Sequence, residues 1–182
     1  MAVSKPEQTH PGLKTLWAPW RAAYVASHRN KKQSCIFCLG RLNARQRRQR
    51  LVLYQDVHAV AMLNRYPYNA GHVMVAPRSH VGSLDLLDVE QGVALTKLLS
   101  ATIGILRRAF KPAGFNLGAN VGRVAGAGFA DHFHWHVVPR WQGDTNFMPV
   151  LASTKVISQH LEASFELLSP FFEKVHEEMV QA

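Results

Sequence analysis

HFHWHVVPRW, residues 132–141, is the stretch on which the fold turns. Read as a β-strand, its side chains alternate between two faces. His132, His134 and His136 then share one face, while Phe133, Trp135 and Val137 share the opposite, core-directed one. Three imidazoles in a row make a poor core, because every buried ring nitrogen needs a hydrogen-bond partner. Such a face suits a metal site. It equally suits a set of nucleophile, acid and phosphate ligand, since neutral imidazole is available near pH 7.

Upstream, LVLY (51–54) and VHAVAML (57–63) read as two strands joined by a tight hairpin at Gln55-Asp56. The turn-rich NRYPYNAG delivers a third strand, HVMVAP (72–77). Asp88 and Gln91 have the spacing of a capping box. They precede Leu95, Leu98, Leu99, Ile103, Leu106 and Phe110, whose intervals of three and four predict a long amphipathic helix ending before Pro112. FNLGAN (115–120) reads as a further strand, and the Gly/Ala-rich stretch 121–130 as a flexible loop. A last helix is expected at about 157–180, interrupted near Pro170. Strands that come as a hairpin and meander, not alternating with helices, predict an antiparallel α+β fold.

The 182 residues suffice for one domain with a terminal extension, and 47% hydrophobic content excludes a disordered chain. No stretch reads as a membrane span, and residues 1–14 carry no hydrophobic signal core, so a cytoplasmic protein is expected. Residues 1–34 are read as a partly disordered arm, with Trp17, Trp20 and Tyr24 packed across the surface, and 35–182 as the folded domain. The net charge of +9 is concentrated at the front: residues 1–50 hold 11 Lys/Arg and one acid, Glu7. Phosphate-rich ligands or nucleic acid would be drawn to such a segment. With no recognisable appended nucleic-acid domain, a solvated surface is favoured for RLNARQRRQR (41–50), and nucleic acid ranks below it.

HFHWHVV resembles the His-φ-His-φ-His-φ-φ motif of the histidine-triad (HIT) nucleotide hydrolases and transferases. LNRYPYNAGHVMVAP, GFNLGANVG, HVVPRWQGDTNFMPV and TKVI are similar, in the same order, to the branch containing diadenosine tetraphosphate phosphorylases. The likeness runs from about Leu16 to the last helix. It implies a sheet of about five antiparallel strands with a long central helix and a C-terminal helix. It also implies a homodimer whose strands form one extended sheet. By the same resemblance His134 is the nucleophile that attacks the α-phosphorus, its other ring nitrogen oriented by a backbone carbonyl, and His136 contacts the α-phosphate. Asn64 would hydrogen-bond the ribose, although on spacing alone it is equally a turn residue before Tyr66-Pro67. Asn120, Gly126 and Gly128 would offer phosphate contacts, and Ile36, Phe37 and Met62 a base pocket; these three are otherwise ordinary core residues. The chain departs from its relatives at Gly128, where Ser or Gln is usual, which leaves the leaving-group contact and the acceptor, water or phosphate, open.

Cys35-Ile36-Phe37-Cys38 can supply two thiolates to one ion, but the spacing does not identify the other ligands. A redox pair lacks a βαβ context, whereas a metal-free pair of buried thiols stays possible. The resemblance to zinc-containing relatives implies His80 and His132 as the remaining ligands of a structural zinc, with no organic cofactor. The implied activity is cleavage of an adenine dinucleotide through a nucleotidyl-histidine. Removal of AMP from amines or 5′-adenylated nucleic acid, and a non-catalytic zinc-stabilised nucleotide-binding module, are the competing readings.

Overall fold

The computed structural model describes residues 35–144 and 160–180. The expected arm over 1–34, with Trp17, Trp20 and Tyr24, lies outside these residues, as do residues 145–159 with the TKVI segment and the start of the expected last helix. In chain order the elements are α1 (Ala44–Arg50), β1 (Val52–Gln55), β2 (Ala59–Leu63), β3 (Val73–Pro77), α2 (Val89–Phe110), β4 (Gly114–Gly118), β5 (Trp135–Arg140) and α3 (Leu161–Val180). The five strands form one antiparallel sheet in the order β1-β2-β3-β5-β4. The expected α+β architecture is the one observed.

Both faces of the central strands are covered, so β2 and β3 are buried at every position and do not alternate with solvent. On one face Ala59, Ala61, Leu63, Val73, Val75, Phe133 and Val137 pack against α2 and α3. On the other, Val52, Val60, Met62, Met74 and Ala76 gather around Phe37 and Leu39. Each helix presents the stripe that its period requires: Leu95, Leu98, Thr102, Ile105 and Leu106 from α2, Leu168, Phe172 and Val175 from α3. By length and mean composition α2 is long and apolar enough to cross a bilayer, although Glu90, Lys97, Arg107 and Arg108 interrupt its apolar run. Its packing on the sheet makes it a core helix instead.

Several boundaries move for physical reasons. The hairpin turn comprises residues 56–58, not 55–56, because the Asp56 carboxylate accepts the backbone N–H groups of His58 (2.8 Å) and Ala59 (2.6 Å) and folds the chain around itself. Asp88 caps α2 by accepting Gln91 N–H at 2.8 Å, but the Gln91 side chain accepts from Ser79 (3.0 Å) instead of closing the box. The last helix runs through Pro170 without interruption. Its buried Ser164, Leu168, Phe172 and Val175 hold both halves to the core, offsetting the lost backbone bond. His132 lies in a bend and residues 133–134 precede the ladder, which begins at Trp135; of the three histidines only His136 lies in a strand.

Candidate active site and metal centre

Strand register assembles the site. Val52, Met62, Met74, His136 and Gly118 are consecutive partners, so one row of side chains crosses the whole sheet and carries His136 at its fourth place. His134 and His132 continue along the same face, where the fully buried Phe37 ring lies 4.9 Å from the His134 ring and 5.0 Å from His132. The Cys35–Cys38 turn therefore lays Phe37 over the histidines. Phe37 and Met62 sit in the apolar cluster that floors this face.

The three imidazoles are made unequal by their neighbours. The carbonyl of Pro77 lies 2.9 Å from Nε2 of His132. Since a carbonyl only accepts, Nε2 of His132 carries the proton and Nδ1 keeps its lone pair. For His134 the polarity is reversed: Nδ1 donates to the carbonyl of His132 at 2.8 Å, which leaves Nε2 as the basic atom. Burial holds its pKa below the ordinary histidine value, so the ring is neutral at pH 7.

His136 is governed by a residue that the sequence reading missed. His72, fully buried just before β3, accepts the backbone N–H of Tyr68 through Nδ1 at 3.0 Å. Its proton is then on Nε2, which donates to Nδ1 of His136 at 2.9 Å. His136 consequently carries its own proton on Nε2. The signal was present in the sequence: His72 has the parity of Met74, which pairs with His136. Seeing it required the register between two strands over sixty residues apart. His72→Ala leaves Nδ1 of His136 without its donor and frees the wrong tautomer; turnover is expected to fall about 10- to 100-fold, the usual cost of losing an orienting partner. Steady-state kinetics on the folded variant check it.

Burial, and then the neighbouring His134, push the pKa of His136 down to about 4. In the unfolded chain it titrates near 6.5. Between those values the unfolded state binds the extra proton and the folded state does not, so stability is complete above about pH 6.5 and is lost as pH falls toward 4. A turnover that needs neutral His136 is expected to show its acid limb near pH 4, not 6.5. Urea melts at pH 7 and 5, with a pH–rate profile, test both statements.

Cys35, Cys38, His80 and His132 bring four donor atoms within 4.8 Å of one another. Nδ1 of His132 lies 3.3 Å from Sγ of Cys35, 3.6 Å from Sγ of Cys38 and 3.2 Å from Nδ1 of His80, which lies 3.1 Å from Sγ of Cys38. Tetrahedral zinc with bonds of about 2.0–2.3 Å requires donor separations of about 3.3–3.8 Å. The tautomer of His132 already turns a lone pair toward this centre. The donor set fits a closed, structural zinc.

Other expected contacts are placed as follows. Asn64 follows β2 and forms the turn, its Oδ1 accepting Tyr66 N–H at 2.9 Å, while its Nδ2 lies 3.5 Å from Nδ1 of His72. That turn brings Asn64 to the His72–His136 pair. Asn120 reaches the Gly126 carbonyl at 3.5 Å, and Gly126 ends a short 3-10 turn (Arg123–Ala125) with φ +88°, a conformation that favours glycine. Gly126 and Gly128 are exposed. Phe129, next to Gly128, packs edge-on against Phe37 at 6.1 Å, which folds this loop toward the histidine face.

Residues 45–143 match the HIT domain family. The chain belongs to the histidine-triad family. Among HIT proteins it is 37% identical over 163 residues to the AP-4-A phosphorylase of Mycobacterium tuberculosis (strain H37Rv), covering 86% of this chain and 83% of that protein. It is 28% identical over 110 residues to the adenosine 5′-monophosphoramidase hnt1 of Schizosaccharomyces pombe, covering 59% and 74%. A solved Zn-bound histidine triad family protein from Mycobacterium smegmatis shares the HIT fold, with a TM-score of 0.59 and 24% identity over 80% of this chain and 97% of that one.

Proposed function

We propose that this HIT protein cleaves the phosphoanhydride of a dinucleoside polyphosphate such as diadenosine tetraphosphate, through a nucleotide held covalently on His134. The observation that carries this reading is the Nδ1–H bond from His134 to the His132 carbonyl, which leaves the neutral Nε2 as nucleophile. Nε2 attacks the α-phosphorus, a P–N bond forms, and the P–O bond to the departing nucleotide breaks. His136 donates Nε2–H to the α-phosphoryl oxygen, where negative charge builds. A second nucleophile then breaks the P–N bond and frees His134.

In this reading the ribose lies at Asn64, the phosphates meet Asn120 and the backbone amides of Gly126 and Gly128, and the base rests on the wall floored by Met62 and Phe37. Glycine at 128 offers a backbone N–H where a side chain would otherwise act, and allows close approach of an anion. Zinc held by Cys35, Cys38, His80 and His132 would tie the Cys35–Cys38 turn to the sheet and supply rigidity, not a site for substrate.

Likeness over most of its length to a protein named AP-4-A phosphorylase supports phosphate as the second nucleophile. Product analysis decides between acceptors. ADP plus ATP, in amounts that follow added phosphate, marks phosphorolysis; AMP plus ATP, indifferent to phosphate, marks hydrolysis and would overturn the phosphate assignment. The protein is proposed to work in the cytoplasm, where its free thiols stay reduced. A homodimer joined at the β4 edge is proposed too, supported by the exposed Leu117 (48%) on that terminal strand. Sedimentation measurements test the dimer.

A further inference from the structure

The positive charge of this chain has an address. Helix α1 precedes β1, the outermost strand at one side of the sheet. Together with the residues before it, it sets out Arg41, Arg45, Arg47, Arg48 and Arg50 within ten positions. Nothing in α1 is buried. An apolar face therefore does not hold the helix; its ends do. Asn43 and Gln46 form a reciprocal capping box at 2.9 and 3.0 Å, and Leu51 closes the other end in the left-handed region at φ +60°. A short helix with no face of its own to bury leaves its side chains available to something else.

Among the described residues, ion pairs neutralise little of this charge. Arg48 pairs with Glu166 at 2.5 Å. Arg41, Arg45, Arg47 and Arg50 make no ion pair among the described residues. Asp56 is held by Tyr54 and its own turn, Glu90 by His58 and Asp144 by Arg140, and Glu162 and Glu173 on α3 form no ion pair with these arginines among the described residues. Residues 1–34 contain one acid, Glu7, against six Lys/Arg, 145–159 contain none, and 176–182 contain Glu177 and Glu178.

Two further features lie at the C-terminal end of α1. Arg65 donates to the Gln49 carbonyl at 3.0 Å, which adds a cation beside Arg47 and Arg50, themselves three apart and so on one side of the helix. The next residue, Tyr66, is 59% exposed. Beyond it Tyr68, 49% exposed, lies 5.7 Å from the His136 ring, so the aromatic residues lead from the arginines toward the histidines.

We propose that α1, Arg65 and Tyr66 form a binding surface for single-stranded nucleic acid. Arginine forks engage successive phosphates, and the exposed tyrosine stacks a base. A strip of cations bordered by an aromatic ring is the usual means of holding a flexible polynucleotide. An acidic protein partner is less well served, since α1 offers no apolar anchor to an interface core. A membrane is also disfavoured, because no large apolar side chain of α1 is placed to enter it. This surface stands independently of the phosphoanhydride chemistry.

The test uses the full-length protein, a labelled 15-nucleotide oligouridine and fluorescence anisotropy at several salt concentrations. Four phosphate contacts predict a slope of log affinity against log salt of about −3, at about −0.7 per contact. In R47Q/R50Q, checked for native folding by its melting curve, the slope becomes shallower by about 1.4 while nucleotide cleavage is unchanged. Tyr66→Ala weakens binding about 5- to 100-fold with the slope retained. The proposal is overturned if oligouridine does not bind at low salt, or if R47Q/R50Q keeps the wild-type slope. Equal, arginine-dependent binding of polyglutamate or of phosphatidylglycerol vesicles also overturns it, by making the surface a general anion site.

Discussion

Replacing His134 with asparagine is expected to lower kcat by about 10⁴-fold or more, with nucleotide affinity nearly unchanged. Asparagine keeps an N–H for the His132 carbonyl, so the backbone hydrogen bond is preserved while the nucleophilic nitrogen is removed. The magnitude follows from the role proposed for the ring: its Nε2 would form the bond to phosphorus, and neither neighbouring histidine is placed to replace it. His136 is unsuited, because its Nδ1 is taken by His72 and its Nε2 holds the proton. His132 is unsuited as well, because its Nε2 donates to Pro77 and its Nδ1 faces the cysteines. Single-turnover kinetics on both forms, with binding measured separately, check the prediction. A variant retaining a tenth of the wild-type rate would contradict it.

Metal removal should have the second largest effect. Cys35→Ser/Cys38→Ser, or prolonged chelation of the wild type, is expected to cost several kcal/mol of stability, because binding energy at a closed structural site is folding energy. Activity should fall even below the melting temperature. His132 has two duties: its ring joins the four-donor cluster and its carbonyl orients His134. With zinc bound as proposed, its loss would free the ring, and the carbonyl would move with the same backbone. Elemental analysis should give about one zinc per chain, and calorimetry should show a lower Tm for the stripped protein. An unchanged Tm after complete removal would show that the cluster does not hold the fold together.

Much of this was legible in the sequence because it is local. The three-and-four spacing from Leu95 to Phe110 places α2, and the alternation from Phe133 to Val137 assigns the sides of the histidine segment correctly even where no ladder forms. What escaped was non-local. The different duties of the three histidines are set by the carbonyls of Pro77 and His132 and by the amide of Tyr68, none of which a motif displays. His72 acts on His136 across strands β3 and β5. Helix α1 went unseen for the opposite reason: it has no apolar period to detect, although Asn43 and Gln46 stood at capping-box spacing. Near Pro170 the local rule was outweighed by tertiary packing, since Leu168 and Phe172 on either side are fully buried.

A covalent nucleotide at His134 is the central step of the proposed reaction, and chemical trapping addresses it directly. The protein is mixed with diadenosine tetraphosphate labelled at the α-phosphorus, quenched in alkaline denaturant within one turnover, digested and mapped. An acid-labile, base-stable label on the peptide containing His134, absent from His134→Asn, is the predicted result. Full turnover with no label on that peptide, or with label on His136 or elsewhere, would contradict it.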